Sequence, residues 1–134
     1  MSLRWYSLVI DCHDFAAQAR WWAGVLDWQI TYEADDEVVI EARHVTPESL
    51  RVTPWEQMGP GWCFVSVPEG KTVKNRLHID LAPQLGDDQA AMVESLIAAG
   101  ATRADVGQDD SKVSWVVLAD PEGNEFCVLS PRDQ

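Results

Sequence analysis

The chain has 134 residues, with 10 Lys and Arg against 22 Asp and Glu, so its formal net charge is −12. Non-specific attraction to phosphate backbones and anionic lipid runs through Lys and Arg, and this balance excludes nucleic-acid and membrane partners. At 46% hydrophobic the sequence reads as one globular domain; with no signal-like start, no apolar run of about 20 residues and three scattered cysteines, it is expected to be a soluble, cytoplasmic protein with reduced thiols.

A strand is expected at Trp5 to Cys12, followed by a helix that Asp14 caps and that carries Phe15, Ala19, Trp22 and Leu26 as one apolar stripe. Trp28 to Glu33 and Glu37 to Arg43 read as a hairpin around Ala34-Asp35-Asp36. His44 to Gly61, with three prolines and two glycines, reads as a long irregular connection, and Trp62 to Val67 as a fourth strand.

The pattern then restarts: a strand at Asn75 to Leu81, a helix opened by Gly86-Asp87-Asp88 with Met92, Val93, Leu96 and Ile97 as its apolar face, and Gly100 at its C-terminal cap. Ala101 to Val106, Val113 to Leu118 and Glu125 to Leu129 complete three further strands, with Asp120 to Asn124 as a turn. Each half is therefore βαβββ, about 1–70 and about 71–134. A short internal repeat supports the duplication, because Leu8-Val9-Ile10-Asp11 aligns with Leu77-His78-Ile79-Asp80.

The two βαβββ halves, the opening Leu8 to Asp14, the middle segment Pro68 to Leu81 and the closing Asp120 to Val128 resemble the glyoxalase-like domain family. That family lies within the glyoxalase, bleomycin-resistance and extradiol-dioxygenase group, the vicinal oxygen chelate superfamily. The resemblance covers essentially the whole chain and implies an α+β fold, two βαβββ modules forming an open, cleft-containing, barrel-like sheet with helices outside. It also implies a homodimer. In metal-dependent members the ligands project from the first and last strands of each module, and a Lewis acid there stabilises an oxyanion. On this pattern His78 falls at the ligand position of the second module's first strand, and Cys127 at the last-strand position where the superfamily places Glu. The first module offers Ser7 or Val9 at the opening position, depending on the anchor used, and Phe64, Val65 or Ser66 on its fourth strand. One imidazole and one thiol do not make an ordinary divalent-metal site. No complete metal site is expected, then, with His78 the ligand if a divalent metal binds; Asp11, Asp80 or Glu125 would supply a carboxylate in another register.

Strand alternation sets Arg76, His78 and Asp80 on one face, with Leu77, Ile79 and Leu81 on the other. The polar trio is the strongest site candidate: His78 as a proton-transfer group, Asp80 beside it, and Arg76 for a polar ligand. Its structural alternative is an ion-paired cluster. Asp11 is the repeat mate of Asp80 and points to the same cavity or serves the turn before the first helix; Cys127 is either a partner of His78 or a small buried thiol. Trp5, Trp62 and Trp115 are candidate stacking surfaces for a conjugated ligand, with packing as the alternative for each, while Trp22 and Trp28 read as core. The sequence thus points to a protein that binds a small organic molecule in an inter-strand cleft. The alternative is an enzyme of the superfamily, either a metal-dependent lyase, isomerase or dioxygenase, or a metal-free acid-base catalyst using His78.

Overall fold

A computed structural model describes residues 3–134. The fold divides into two compact units, one ending at Gly70 and the other beginning at Lys71. The first unit runs β1 (Ser7–Cys12), α1 (Phe15–Leu26), β2 (Gln29–Glu33), β3 (Glu37–Glu41), α2 (Pro47–Val52) and β4 (Gly61–Ser66). The second runs β5 (Ile79–Leu81), α3 (Gln89–Ala98), β6 (Thr102–Arg103), β7 (Val116–Ala119) and β8 (Glu125–Val128). Among the described residues no helix is long and apolar enough to cross a membrane.

Both units build the same four-stranded sheet, ordered β1-β4-β3-β2 and β5-β8-β7-β6, with the first and last strand of each unit parallel and the rest antiparallel. The α+β class and the βαβββ reading hold. The internal repeat holds at the level of register as well. Ile10 pairs with Phe64, which faces Val38; Ile79 pairs with Phe126, which faces Leu118. Phe64, Val38, Phe126 and Leu118 are all buried, so the repeat marks the core row of each unit.

In the first unit the strands alternate cleanly. Val38 and Ile40 of β3 and Trp62 and Phe64 of β4 are buried, and α1 covers this face with Ala19 and Trp22. Asp14 caps α1 by accepting a hydrogen bond from the Ala17 N–H at 3.1 Å, as its position before the apolar stripe predicts. Asp88 caps α3 in the same way through the Ala90 and Ala91 N–H groups. Gly100 takes a positive φ of 123° just beyond that helix, where a side chain would be strained.

The connection from 44 to 60 departs from the sequence expectation. It contains α2, whose start is a reciprocal cap: the Ser49 N–H donates to Thr46 Oγ1 at 3.0 Å and the Thr46 N–H to Ser49 Oγ at 2.9 Å. Pro47 occupies the first helical turn, where its missing N–H costs nothing, so a residue read as a breaker is here a helix starter. A single 3₁₀ turn follows at Trp55–Gln57.

The second unit's first strand is shorter than predicted. It spans Ile79–Leu81 rather than Asn75 to Leu81, and Leu77 is 89% exposed rather than packed. Its parallel partner β8 begins only at Glu125, so residues 75–78 have no strand beside them to hydrogen-bond. The segment is held differently. The Glu125 carboxylate accepts the Asn75 backbone N–H at 3.0 Å and the Lys71 ammonium at 2.9 Å, while Lys71 Nζ also donates to the Val73 carbonyl.

Candidate functional site

The second unit gathers the chemistry. Asp80 on β5 sits opposite Cys127 on β8, which sits opposite Val117 on β7, so one row crosses three strands. His78 precedes β5 and turns its ring to Asp80, with Nε2 3.3 Å from Oδ1. A donor atom from each of His78, Asp80 and Cys127 lies within 4.8 Å of the other two. They open onto a pocket of about 330 Å³ whose apolar wall includes Val106, Trp115, Val117 and Leu129. The Trp115 indole N–H donates to Gln108 Oε1 at 2.8 Å, which fixes the ring at the pocket wall.

Local sequence explains this placement. Asp120 is 3% exposed, yet its carboxylate accepts the Glu122 and Asn124 backbone N–H groups at 3.0 Å each, and Gly123 supplies the positive φ that the turn needs. This turn starts β8, and so sets Glu125 and Cys127 in register with β5. Burial raises the Cys127 thiol pKa, and the charge of Asp80 and a hydrogen bond to it add to the rise, so the group sits in its protonated form at neutral pH. A protonated thiol that donates to Asp80 is a poor nucleophile. Burial also opposes the charge on Glu125, but the Asn75 N–H and Lys71 overcome it and hold that carboxyl below its ordinary value. With its oxygens so occupied, Glu125 acts as a clasp on the segment 71–75.

Among the residues singled out from sequence, the structure brings together His78, Asp80, Cys127 and Trp115. Arg76 is exposed and does not line the pocket, because the strand alternation that was to align it with His78 ends at Ile79. Trp62 is 7% exposed and packs edge-on against Trp22 and Trp28, with centroids 5.3 and 5.5 Å away. It is a core residue of the first unit rather than a stacking surface. Trp5 is exposed ahead of β1, its indole N–H bonded to the Ser7 carbonyl, and Asp11 is exposed on β1. Sequence reasoning did not place Lys74 and Gln108 at the pocket. Lys74 lies in the segment Pro68 to Leu81 that carries the family resemblance, and Gln108 in a loop without a periodic signal.

The sequence matches the glyoxalase-like domain model over residues 7–129. The chain belongs to the glyoxalase-like domain family. Among curated proteins none matches it. Among solved structures, this glyoxalase-like chain is similar to a glyoxalase/bleomycin resistance protein/dioxygenase family enzyme from Burkholderia phytofirmans PsJN, at 16% identity over 97% of this chain and 100% of that one, with a TM-score of 0.67. It is also similar to a variant of the fosfomycin resistance protein FosX from Listeria monocytogenes, complexed with Mn(II) and a dihydroxypropylphosphonic acid. There the identity is 10%, the coverage 98% and 92%, and the TM-score 0.64. A bleomycin resistance determinant encoded on the transposon Tn5 matches at 12% identity, covering 94% and 96%, with a TM-score of 0.50. These likenesses establish a shared fold.

Register now decides which first-unit residues in the glyoxalase-like chain correspond to the trio. Aligning the two core rows puts Asp11 on Asp80, Val65 on Cys127 and Val9 on His78, the same equivalence as the internal repeat. Two valines stand where the metal-dependent members are expected to carry donors. A divalent ion bound here would rest on His78, Asp80 and Cys127 of the second unit, a nitrogen, oxygen and sulfur set that suits zinc better than an oxygen-preferring ion such as Mn(II). Such an ion would supply Lewis-acid chemistry.

Proposed function

We propose that this glyoxalase-like protein binds a small, flat organic molecule in the second-unit pocket, without a complete catalytic metal site. The observation that carries the reading is the row Asp80–Cys127–Val117 with His78 above it and Trp115 beside it, a few convergent polar groups against an apolar wall. The ligand's ring would lie on Trp115, and its polar end would meet the paired His78 and Asp80. The net charge of −12 supports a small-molecule ligand over a nucleic acid or an anionic membrane. Cytoplasmic residence and a homodimeric state belong to the same proposal.

The His78–Asp80 contact favours a second reading, an enzyme in which Asp80 orients the imidazole and His78 moves a proton on the bound substrate. A thermal-shift screen of conjugated small molecules, with and without divalent metals, tests both. A ligand at 100 times its dissociation constant should add about 2.7 kcal/mol of stability, and Trp115→Ala and His78→Ala should each abolish the response. Responses that survive both substitutions would place the ligand elsewhere. Stoichiometric metal lost on His78→Ala would overturn the metal-free reading.

A further inference from the structure

The first unit carries a second and larger cavity, of about 790 Å³, on the sheet face that α1 leaves uncovered. Its floor includes Glu37, Val39 and Glu41 of β3, and its wall is formed by Tyr6, Trp55 and Arg4. Four of the chain's seven arginines, Arg20, Arg43, Arg51 and Arg103, each meet a carboxylate. Arg4 instead stacks on two rings, its guanidinium carbon 4.2 Å from the Trp55 centroid and 4.9 Å from that of Tyr6. Its Nε is shut off from water and makes no hydrogen bond, and among the described residues it has no ion pair with Glu37 or Glu41, although both line the same cavity.

The fold keeps these opposite charges apart. Arg4 precedes β1 while Glu37 and Glu41 lie on β3, and β4 runs between the two, a spacing of roughly 10 Å between β1 and β3. The carboxylates are directed inward by their neighbours. Glu41 accepts the Thr31 hydroxyl at 2.7 Å and Glu37 the Cys63 thiol at 3.1 Å. Gly61 on β4 leaves the room that Glu41 uses, since a Cβ there would come within 3.3 Å of Glu41 Cγ. The cavity is therefore dipolar, with a planar five-donor cation at an aromatic wall and two carboxylates across the floor.

We infer that this cavity is a binding site for a flat zwitterion, an aromatic molecule with a carboxylate at one end and an ammonium group at the other. The carboxylate meets the Arg4 guanidinium, the ring rests along Trp55 and Tyr6, and the ammonium meets Glu41 and Glu37. Neither a simple anion nor a simple cation satisfies both sides. The inference uses first-unit residues alone and stands apart from the second-unit pocket.

The probe is 4-(aminomethyl)benzoate, with benzoate and benzylamine as its two halves, each titrated by calorimetry against the full chain. The zwitterion should bind at least tenfold tighter than either half. Arg4→Gln and Glu41→Gln should each weaken it tenfold or more, while Arg103→Gln, which removes an exposed charge elsewhere, should leave affinity unchanged. Far-UV circular dichroism confirms that each variant is folded, and chemical-shift changes at Cys63 and Val39 amides report where the probe sits. Equal binding of all three compounds, affinity that ignores Arg4 and Glu41, or no binding at millimolar concentration would overturn the inference. Loss of probe affinity on His78→Ala would move it to the second unit and overturn the inference too, without touching the second-unit proposal.

Discussion

Glu125→Gln isolates the clasp that shapes the approach to the second-unit pocket. In the native chain this carboxylate, 14% exposed, accepts the Lys71 ammonium at 2.9 Å, itself 18% exposed, and the Asn75 N–H at 3.0 Å. Hydrogen bonds to charged groups contribute about 1.5–3 kcal/mol each, and the amide retains one acceptor, so the expected loss is about 2 kcal/mol at neutral pH. For a chain of this length that lowers Tm by about 6–8 °C. The pH dependence is diagnostic. The folded Glu125 carboxyl is held below its ordinary value of 4.5, so the stability it contributes is present above that pH and fades as the pH falls through the folded value. Glutamine does not titrate. The stability gap between native and variant chains should be full at neutral pH and close in acid. Urea unfolding followed by far-UV circular dichroism, run on both chains at neutral and acid pH, measures that gap. A gap of the same size in acid and at neutrality, or one below about 0.5 kcal/mol, would refute the clasp.

Other outcomes follow from single contacts. Trp62→Ala should cost about 3–5 kcal/mol in urea unfolding monitored by far-UV circular dichroism, because it empties the place between Trp22 and Trp28; a small loss would return Trp62 to the surface. Cys63 is pushed up to about 11, chiefly by burial and then by its hydrogen bond to Glu37 and the charges of Glu37 and Asp36. Glu37→Gln should lower that pKa and speed iodoacetamide labelling of Cys63 at mildly alkaline pH, read by site-resolved mass spectrometry, and an unchanged rate would contradict the contact. Asp88→Ala removes the acceptor for two N–H groups at the start of α3 and should cost about 1 kcal/mol in thermal unfolding.

Where a signal is local, the chain declares it. Asp14 and Asp88 stand before apolar periodicity and do cap helices; Asp120 to Asn124 has turn chemistry and forms the turn. Where the outcome depends on a partner, the local signal misleads. Residues 75–78 alternate like a strand, but β8 is too short to pair with them, and Glu125 takes the Asn75 N–H instead. Pro47 looks like a breaker until Thr46 and Ser49 are seen capping each other around it. Trp62 and Trp115 both lie on or beside strands, and only packing sends one into the core and the other to a pocket.

Sequence by itself determined the α+β class, the duplicated βαβββ order and the His78–Asp80 pair, because periodicity, capping and a repeated tetrapeptide are properties of neighbouring residues. Tertiary structure alone decided that Asp80 stands opposite Cys127, that Val65 takes the first unit's equivalent place on its last strand, and that Arg4 faces two aromatic rings. These depend on strand register and on loops folding back over a sheet. Register is set by core rows such as Ile10–Phe64–Val38 and Ile79–Phe126–Leu118, whose burial is the sum of contacts between residues far apart in the chain.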